Sequence, residues 1–183
     1  IKNNKLSYLI SLNFDNSYQY RTGADRTLQA GNSIEFSNNF QRTTYSYKTN
    51  ISAILGLNYS TDRLNLSSNI LYLKSTDSQI QDQLGYQNNQ TDVRNYLIRT
   101  NQLDESNFVN GQLFGEYFLT ANKNHSIKGG VSAAQTNYNQ PDRNSYTGSQ
   151  VSENEINTSY GGNNFLRQFL DINSKLYTCL YGV

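Results

Sequence analysis

Apolar residues along this chain return at every second position, in stretches separated by polar runs. From Thr43 to Ser60 the odd positions read Tyr45, Tyr47, Thr49, Ile51, Ala53, Leu55, Leu57 and Tyr59. The even positions between them are mostly Ser, Asn and Lys. That period of two puts one apolar and one polar face on a β-strand, whereas on a helix the same residues would scatter around the axis. After the break Ser60-Thr61-Asp62-Arg63, the residues Leu64, Leu66, Ile70 and Tyr72 continue an apolar face, which predicts a hairpin with a tight turn. The unit recurs. Val109, Leu113, Tyr117 and Leu119 share a face, a polar turn runs from Thr120 to His125, and Ile127, Gly129, Val131 and Ala133 follow. An N-terminal strand carries Leu6, Tyr8, Ile10, Leu12, Phe14, Tyr18 and Tyr20, and Leu166, Leu170, Ile172 and Leu176 suggest a sixth strand.

The connections alternate in length. Those after the second and fourth strands are a few residues long, while Arg21 to Arg42, Ser75 to Ser106 and Asn139 to Asn164 read as long polar loops. Short turns on one side and long loops on the other are the plan of outer-membrane barrels. Charges also keep to one side: Asp15, Lys48, Glu116 and Lys128 fall opposite the apolar faces, and Lys74 reads as the outward end of its strand. The stretch Ile51 to Tyr59 has the roughly 9–11 residues that a tilted membrane strand needs, and Tyr45, Tyr47 and Tyr59 sit where aromatic girdles would lie. A soluble sandwich with one buried sheet face gives the same alternation. Strand length, loop asymmetry and the Tyr-rich ends favour the barrel. The expected fold is therefore all-β: an antiparallel meander of about six long strands, a segment of a transmembrane outer-membrane β-barrel. Residues 1–183 form one partial barrel domain, with plug and remaining strands absent.

Composition narrows the function classes. The 183 residues carry 15 Lys+Arg against 14 Asp+Glu, a net charge of +1, which is not the basic stripe of a nucleic-acid binder. Aromatic content of 13%, from 15 Tyr and 8 Phe, does not fit a disordered chain. A single Cys excludes an internal disulfide, and no Cys/His spacing suits zinc. The chain opens at Ile1 and contains no Met, which reads as a piece of a longer protein.

Three stretches resemble a known family: Asn95-Tyr96 through Arg99, Leu103-Asp104-Glu105-Ser106-Asn107-Phe108, and Gly111-Gln112-Leu113-Phe114-Gly115-Glu116-Tyr117. Together with Tyr138-Asn139-Gln140-Pro141-Asp142-Arg143 they resemble the barrel of TonB-dependent outer-membrane receptors, in the type with a carboxypeptidase-like N-terminal extension. The resemblance implies a Gram-negative outer-membrane location, a 22-stranded barrel and an N-terminal plug. It also implies energy-coupled import of a scarce nutrient: an iron chelate, cobalamin, glycan or peptide. Its partners would be outer-membrane lipid, the TonB complex acting through the plug, and a small-molecule, glycan or peptide ligand. A passive barrel or adhesin, and a soluble carbohydrate-binding module, are the alternatives.

No catalytic constellation, metal set or cofactor motif stands out, and an enzyme is the weakest class. His125 reads as a solvated turn residue, and Cys179 as a buried or inert thiol. Asp104-Glu105 and Glu153/Glu155 read as solvated loop carboxylates. Gly129-Gly130 lacks the Lys-Ser/Thr of a phosphate loop and reads as relief of crowding or a bulge. The candidate ligand residues are Tyr138, Asp142, Arg143 and Tyr146, the most varied cluster in the last long loop. Against that, Pro141-Asp142-Arg143 also reads as a plain turn outside every strand, with Asp142 accepting local backbone bonds.

Overall fold

A computed structural model describes residues 5–29, 35–87, 96–152, 155–157 and 165–182. The strands are β1 (Lys5–Gln29), β2 (Glu35–Ser60), β3 (Leu64–Gln87), β4 (Tyr96–Phe118), β5 (Ser126–Ser152), β6 (Glu155–Asn157) and β7 (Phe165–Gly182). They form one antiparallel sheet in chain order, with β6 and β7 both pairing β5. The architecture is thus a meander of six long strands, with the short β6 continuing the line of β7. Among the described residues β1 pairs only β2 and β7 pairs only β5, so the sheet is open. Among the described residues no second layer packs on it. Phe40 is the one buried apolar residue among those described.

Both short turns are built as the sequence suggests. Between β2 and β3 the Thr61 N–H donates to the Leu64 carbonyl at 2.8 Å, and Thr61 Oγ1 accepts the Leu64 N–H at 2.9 Å. The hydroxyl replaces part of the ladder that the reversing chain gives up. Between β4 and β5 the Leu119 N–H reaches the His125 carbonyl at 2.9 Å, and the Lys123 N–H reaches Thr120 at 3.1 Å. Lys123 adopts φ 57°, the left-handed conformation such a reversal needs.

The three long loops are a correction. Their flanks are strand: β1 runs on to Gln29, β3 to Gln87 and β5 to Ser152, so five strands are 23–27 residues long. These stretches hold only scattered apolar residues and no sustained alternation, yet a ladder needs only paired backbone groups, and polar side chains add cross-strand bonds. Arg26 Nε donates to Asn39 Oδ1 at 3.0 Å, Arg42 pairs with Asp25, and Arg99 forks onto Asp82 at 2.5 and 2.6 Å. Lys74 is accordingly mid-strand in β3 rather than at its end. Of the predicted loops, residues 30–34, 88–95, 153–154 and 158–164 lie outside the described residues.

Register partners share a face, and the two faces differ. One carries Leu6 to Phe14 on β1, Ile51 to Tyr59 on β2, Leu64 to Tyr72 on β3 and Val109 to Tyr117 on β4, taking every second residue. It continues through Ile127 to Ala133 on β5 and Tyr177 to Tyr181 on β7. No charge interrupts it. Asp15, Lys48, Glu116 and Lys128 all face the other way, as expected. Away from the short turns, each strand then turns polar on this face, at Asn16, Thr49, Lys74, Asn107, Gln135 and Lys175.

The upper edge of this apolar band descends in steps. Phe14 pairs Ile51; one row lower, Tyr72 pairs Val109; one row lower again, Ala133 pairs Tyr177. The edge therefore drops about four residues of about 3.3 Å rise across about five strand spacings of about 4.8 Å, a slope of about 30° to the hydrogen-bond rows. Leu166, Leu170, Ile172 and Leu176, which mark the last strand in the sequence, lie on the opposite face, with Tyr177, Cys179 and Tyr181 completing the band.

Gly130 sits directly across from Phe114, and a Cβ there would strike the ring, whereas Gly129 has only the Leu180 carbonyl at 3.8 Å. Gly130 thus relieves crowding and is not a bulge. Gly130→Val, despite better strand propensity, should destabilise the folded protein by about 1–3 kcal/mol. Gly129→Ala should be near neutral, and adding Phe114→Ala should remove most of the valine's cost. Urea midpoints of the four variants test this through a double-mutant cycle.

Candidate functional site

Above the apolar band, the opposite face carries a polar belt that follows the register. Ser17, Lys48, Asp77 and Asp104 form one row, and Gln19, Ser46, Gln79, Gln102 and Arg143 form the next. The belt puts Asp77 and Asp104 directly opposite each other, which is unfavourable for two carboxylates without partners. Each has its own. Asp77 accepts from Ser46 Oγ at 2.9 Å and pairs with Lys48 Nζ at 3.5 Å. Asp104 accepts from Tyr138 Oη at 2.8 Å, Gln140 Nε2 at 2.7 Å and Gln102 Nε2 at 2.5 Å. Around Lys48 and Asp77 the face is concave, a hollow of about 480 Å³ that also takes in Gln19, Arg21, Thr44 and Gln79.

The candidate ligand residues are strand residues rather than loop residues, because β5 runs through them. At Pro141 the strand carries one extra residue against both neighbours. Leu103 and Glu105 on β4 pair Asp142 and Asn139, while Gln168 and Leu170 on β7 pair Arg143 and Gln140. This is a β-bulge, where the missing proline N–H costs no ladder bond. Pro141 therefore lies inside a strand, contrary to the sequence expectation.

The bulge reverses the alternation and splits the four residues into two pairs. Tyr138 and Arg143 join the polar belt beside Asp104, while Asp142 and Tyr146 turn to the face that carries the apolar band lower down. There Asp142 takes both Arg167 nitrogens, at 2.8 and 3.1 Å, and not local backbone N–H groups. Tyr146 stands opposite Arg99. Asp104 is the residue that sequence reasoning set aside as a solvated loop carboxylate. Three side chains from two strands converge on it: ordinary register already places Tyr138, opposite Ser106, and Gln140 on its face, and the bulge adds Arg143. Spacing along the chain carries no trace of that.

Electrostatics follow the contacts. Burial works to raise the Asp104 pKa, but the bonds from Gln140, Gln102 and Tyr138 and the field of Arg143 outweigh it and hold the carboxyl below its usual value. The same bond pushes the Tyr138 phenol up. Arg167 lowers Asp142, and Asp142 in turn raises Arg167. A carboxylate held ionised with three donors on it is a poor general base and a good organiser of side chains. Among the described residues no group of three His, Cys, Asp or Glu is placed to hold a metal ion. His125 is exposed in its turn, and Cys179 is exposed rather than buried, on the apolar band opposite Val131.

Asp104→Asn keeps the shape and loses the charge. Because the folded carboxyl is depressed, its stabilisation is present above the unfolded pKa of about 3.9 and is lost as pH falls through the folded value. The wild type should therefore exceed the variant in urea midpoint at pH 6, with the gap closing in acid. A gap unchanged down to about pH 2 would mean that ionisation is not what Asp104 contributes.

Comparison with protein-family models, with curated proteins and with solved structures finds no match to this chain.

Proposed function

We propose that the chain forms part of the wall of a Gram-negative outer-membrane β-barrel, and that the barrel is a TonB-dependent receptor importing a scarce nutrient. The observation that carries the membrane reading is the descending edge of the apolar band. A bilayer surface is flat, so on tilted strands it must cut the hydrogen-bond rows obliquely. The slope of about 30° is close to the 35–45° tilt of membrane barrel strands. The band is about nine residues tall on β1 through β4, matching the roughly 9–11 a tilted strand needs. The buried face of a soluble sandwich would need a covering layer, and none covers it among the described residues.

Both short turns, the start of β1 and the end of β7 lie at one edge of the band, and the long hairpins rise from the other. In the proposed orientation the short turns face the periplasm. The polar belt then lies inside the barrel, above the membrane, where a ligand arriving from outside would meet Lys48, Asp77, Tyr138 and Arg143. The TonB-dependent assignment and the nutrient class (iron chelate, cobalamin, glycan or peptide) rest on the sequence resemblance. Coupling would run through a plug contacted by the TonB complex.

Arginine placed at Leu55 or Leu113, in the middle of the apolar band, should cost about 2–4 kcal/mol of folding free energy in lipid. At Asn58 or Gln112, on the other face, it should be tolerated. Folding in vesicles, followed by gel mobility of unheated samples, reads the difference, and equal tolerance on both faces refutes the membrane assignment. Uptake of labelled ferric chelates, cobalamin, oligosaccharides and peptides, with and without a protonophore, tests the transport reading. A passive barrel would conduct regardless of the proton gradient.

A further inference from the structure

Resting on the membrane reading above, we propose that the apolar band between β3 and β7 holds an anionic lipid bearing more than one phosphate, drawn from the outward-facing leaflet. The band is not smooth there. Gly111 on β4 and Ala133 on β5 pair with each other between the larger Ile70 and Tyr177, so the surface sinks into a groove of about 610 Å³ floored also by Leu113 and Val131. One glycine and one alanine in the same row leave room for hydrocarbon, and the walls supply dispersion contacts.

Charge above this groove selects the headgroup: Lys175 stands one row above Tyr177, and Lys74 two rows above Ile70. The first polar position above the band is Lys74 on β3 and Lys175 on β7, the two strands that bound the groove, with Asn107 and Gln135 between them. Among the described residues neither lysine has an ion-pair partner. The nearest carboxylates on this face, Glu105 and Asp171, stand in a higher row. Three strand spacings separate the lysines laterally, about 14 Å. That is too wide for one phosphate and suits two phosphates on one headgroup, with the amides offering donors and acceptors between them. The other four strands have no cation at this level, or border no such groove: β1 and β2 present Asn16 and Thr49.

The test uses the full chain reconstituted in phosphatidylcholine vesicles, alone or doped with bis-phosphorylated lipid A or with phosphatidylglycerol. Lipid retained through detergent extraction is measured by mass spectrometry. The wild type should retain lipid A in preference to phosphatidylglycerol. Each of Lys74→Gln and Lys175→Gln should weaken retention about fivefold, and the pair about 30-fold. Lys128→Gln removes the same charge from the opposite face and should leave lipid A retention unchanged. Gly111→Leu, which fills the groove, should lower lipid A retention while both lysines remain. Inorganic pyrophosphate should not displace the lipid. Retention that is unaltered in the double lysine variant, or equal for all three lipids, overturns the proposal while leaving a membrane-inserted wall intact. Failure of the chain to enter any vesicle overturns the membrane reading and this inference with it.

Discussion

The described strands are held together chiefly by the antiparallel ladder of backbone hydrogen bonds, with side-chain bonds such as Arg99 to Asp82 added to it, and among the described residues nothing packs across either face of the sheet. A ladder satisfies the polar backbone but does nothing for the leucines and tyrosines that project from it. On the edge strand Leu12 and Tyr8 are exposed to 79% and 74%, and on the inner strands Leu57 and Leu113 are still exposed to 42% and 49%. Apolar area of that extent has no stable place in water, and soluble monomers rarely show such a patch. Everything else in the fold is arranged around this imbalance. Charges face away from the band, tyrosines and lysines collect at its margins, and strand edges stay within reach of further pairing.

The other face shows how a sheet can carry charge without a core. Asp77 and Asp104 are neighbours by register, and the sequence brings each its own donors instead of separating them. Below that belt the face is not uniformly polar. Leu176 and Leu180 on β7, with Leu71, Leu73 and Phe108, add apolar patches to it. β7 thus carries large apolar residues on both sides, unlike β2, whose polar side below the belt has only Ile54. Two-sided apolar character on an edge strand gives the alternation of β7 little contrast.

That difference explains what was legible in the sequence. The lower halves of β1 through β5 alternate Leu, Ile, Val or Tyr with Ser, Asn or Gln, so strand, face and hairpin are all readable there. Their upper halves alternate Thr, Gln, Asn and Arg with one another, and a period between two polar sets leaves no contrast to read. The strands are there all the same, since pairing such as Arg99 with Asp82 depends on the partner strand rather than on local pattern. For β7 the strand was visible, but the wrong set of residues marked its band. In the candidate site, the four residues named together from the sequence divide between two faces, and Tyr138 and Arg143 share one of them. Their hub, Asp104, comes from a different strand and could be found only through register.

The extra residue at Pro141 also bears on how the hairpin containing β5 can change. Alternation works like a two-tooth gear: each residue advances the strand by half a turn, and the bulge skips one tooth. Below Pro141 the odd residues of β5 belong to the apolar side, and above it the even ones do. Asp142 and Tyr146 reach their present neighbours, Arg167 and Arg99, only because of that skipped tooth. Loss of one residue here would therefore do more than remove a proline. It would swap inside for outside along the whole upper arm of β5 and leave the lower arm untouched. Length variation in this arm is confined to steps of two, or to changes that remake the bulge elsewhere.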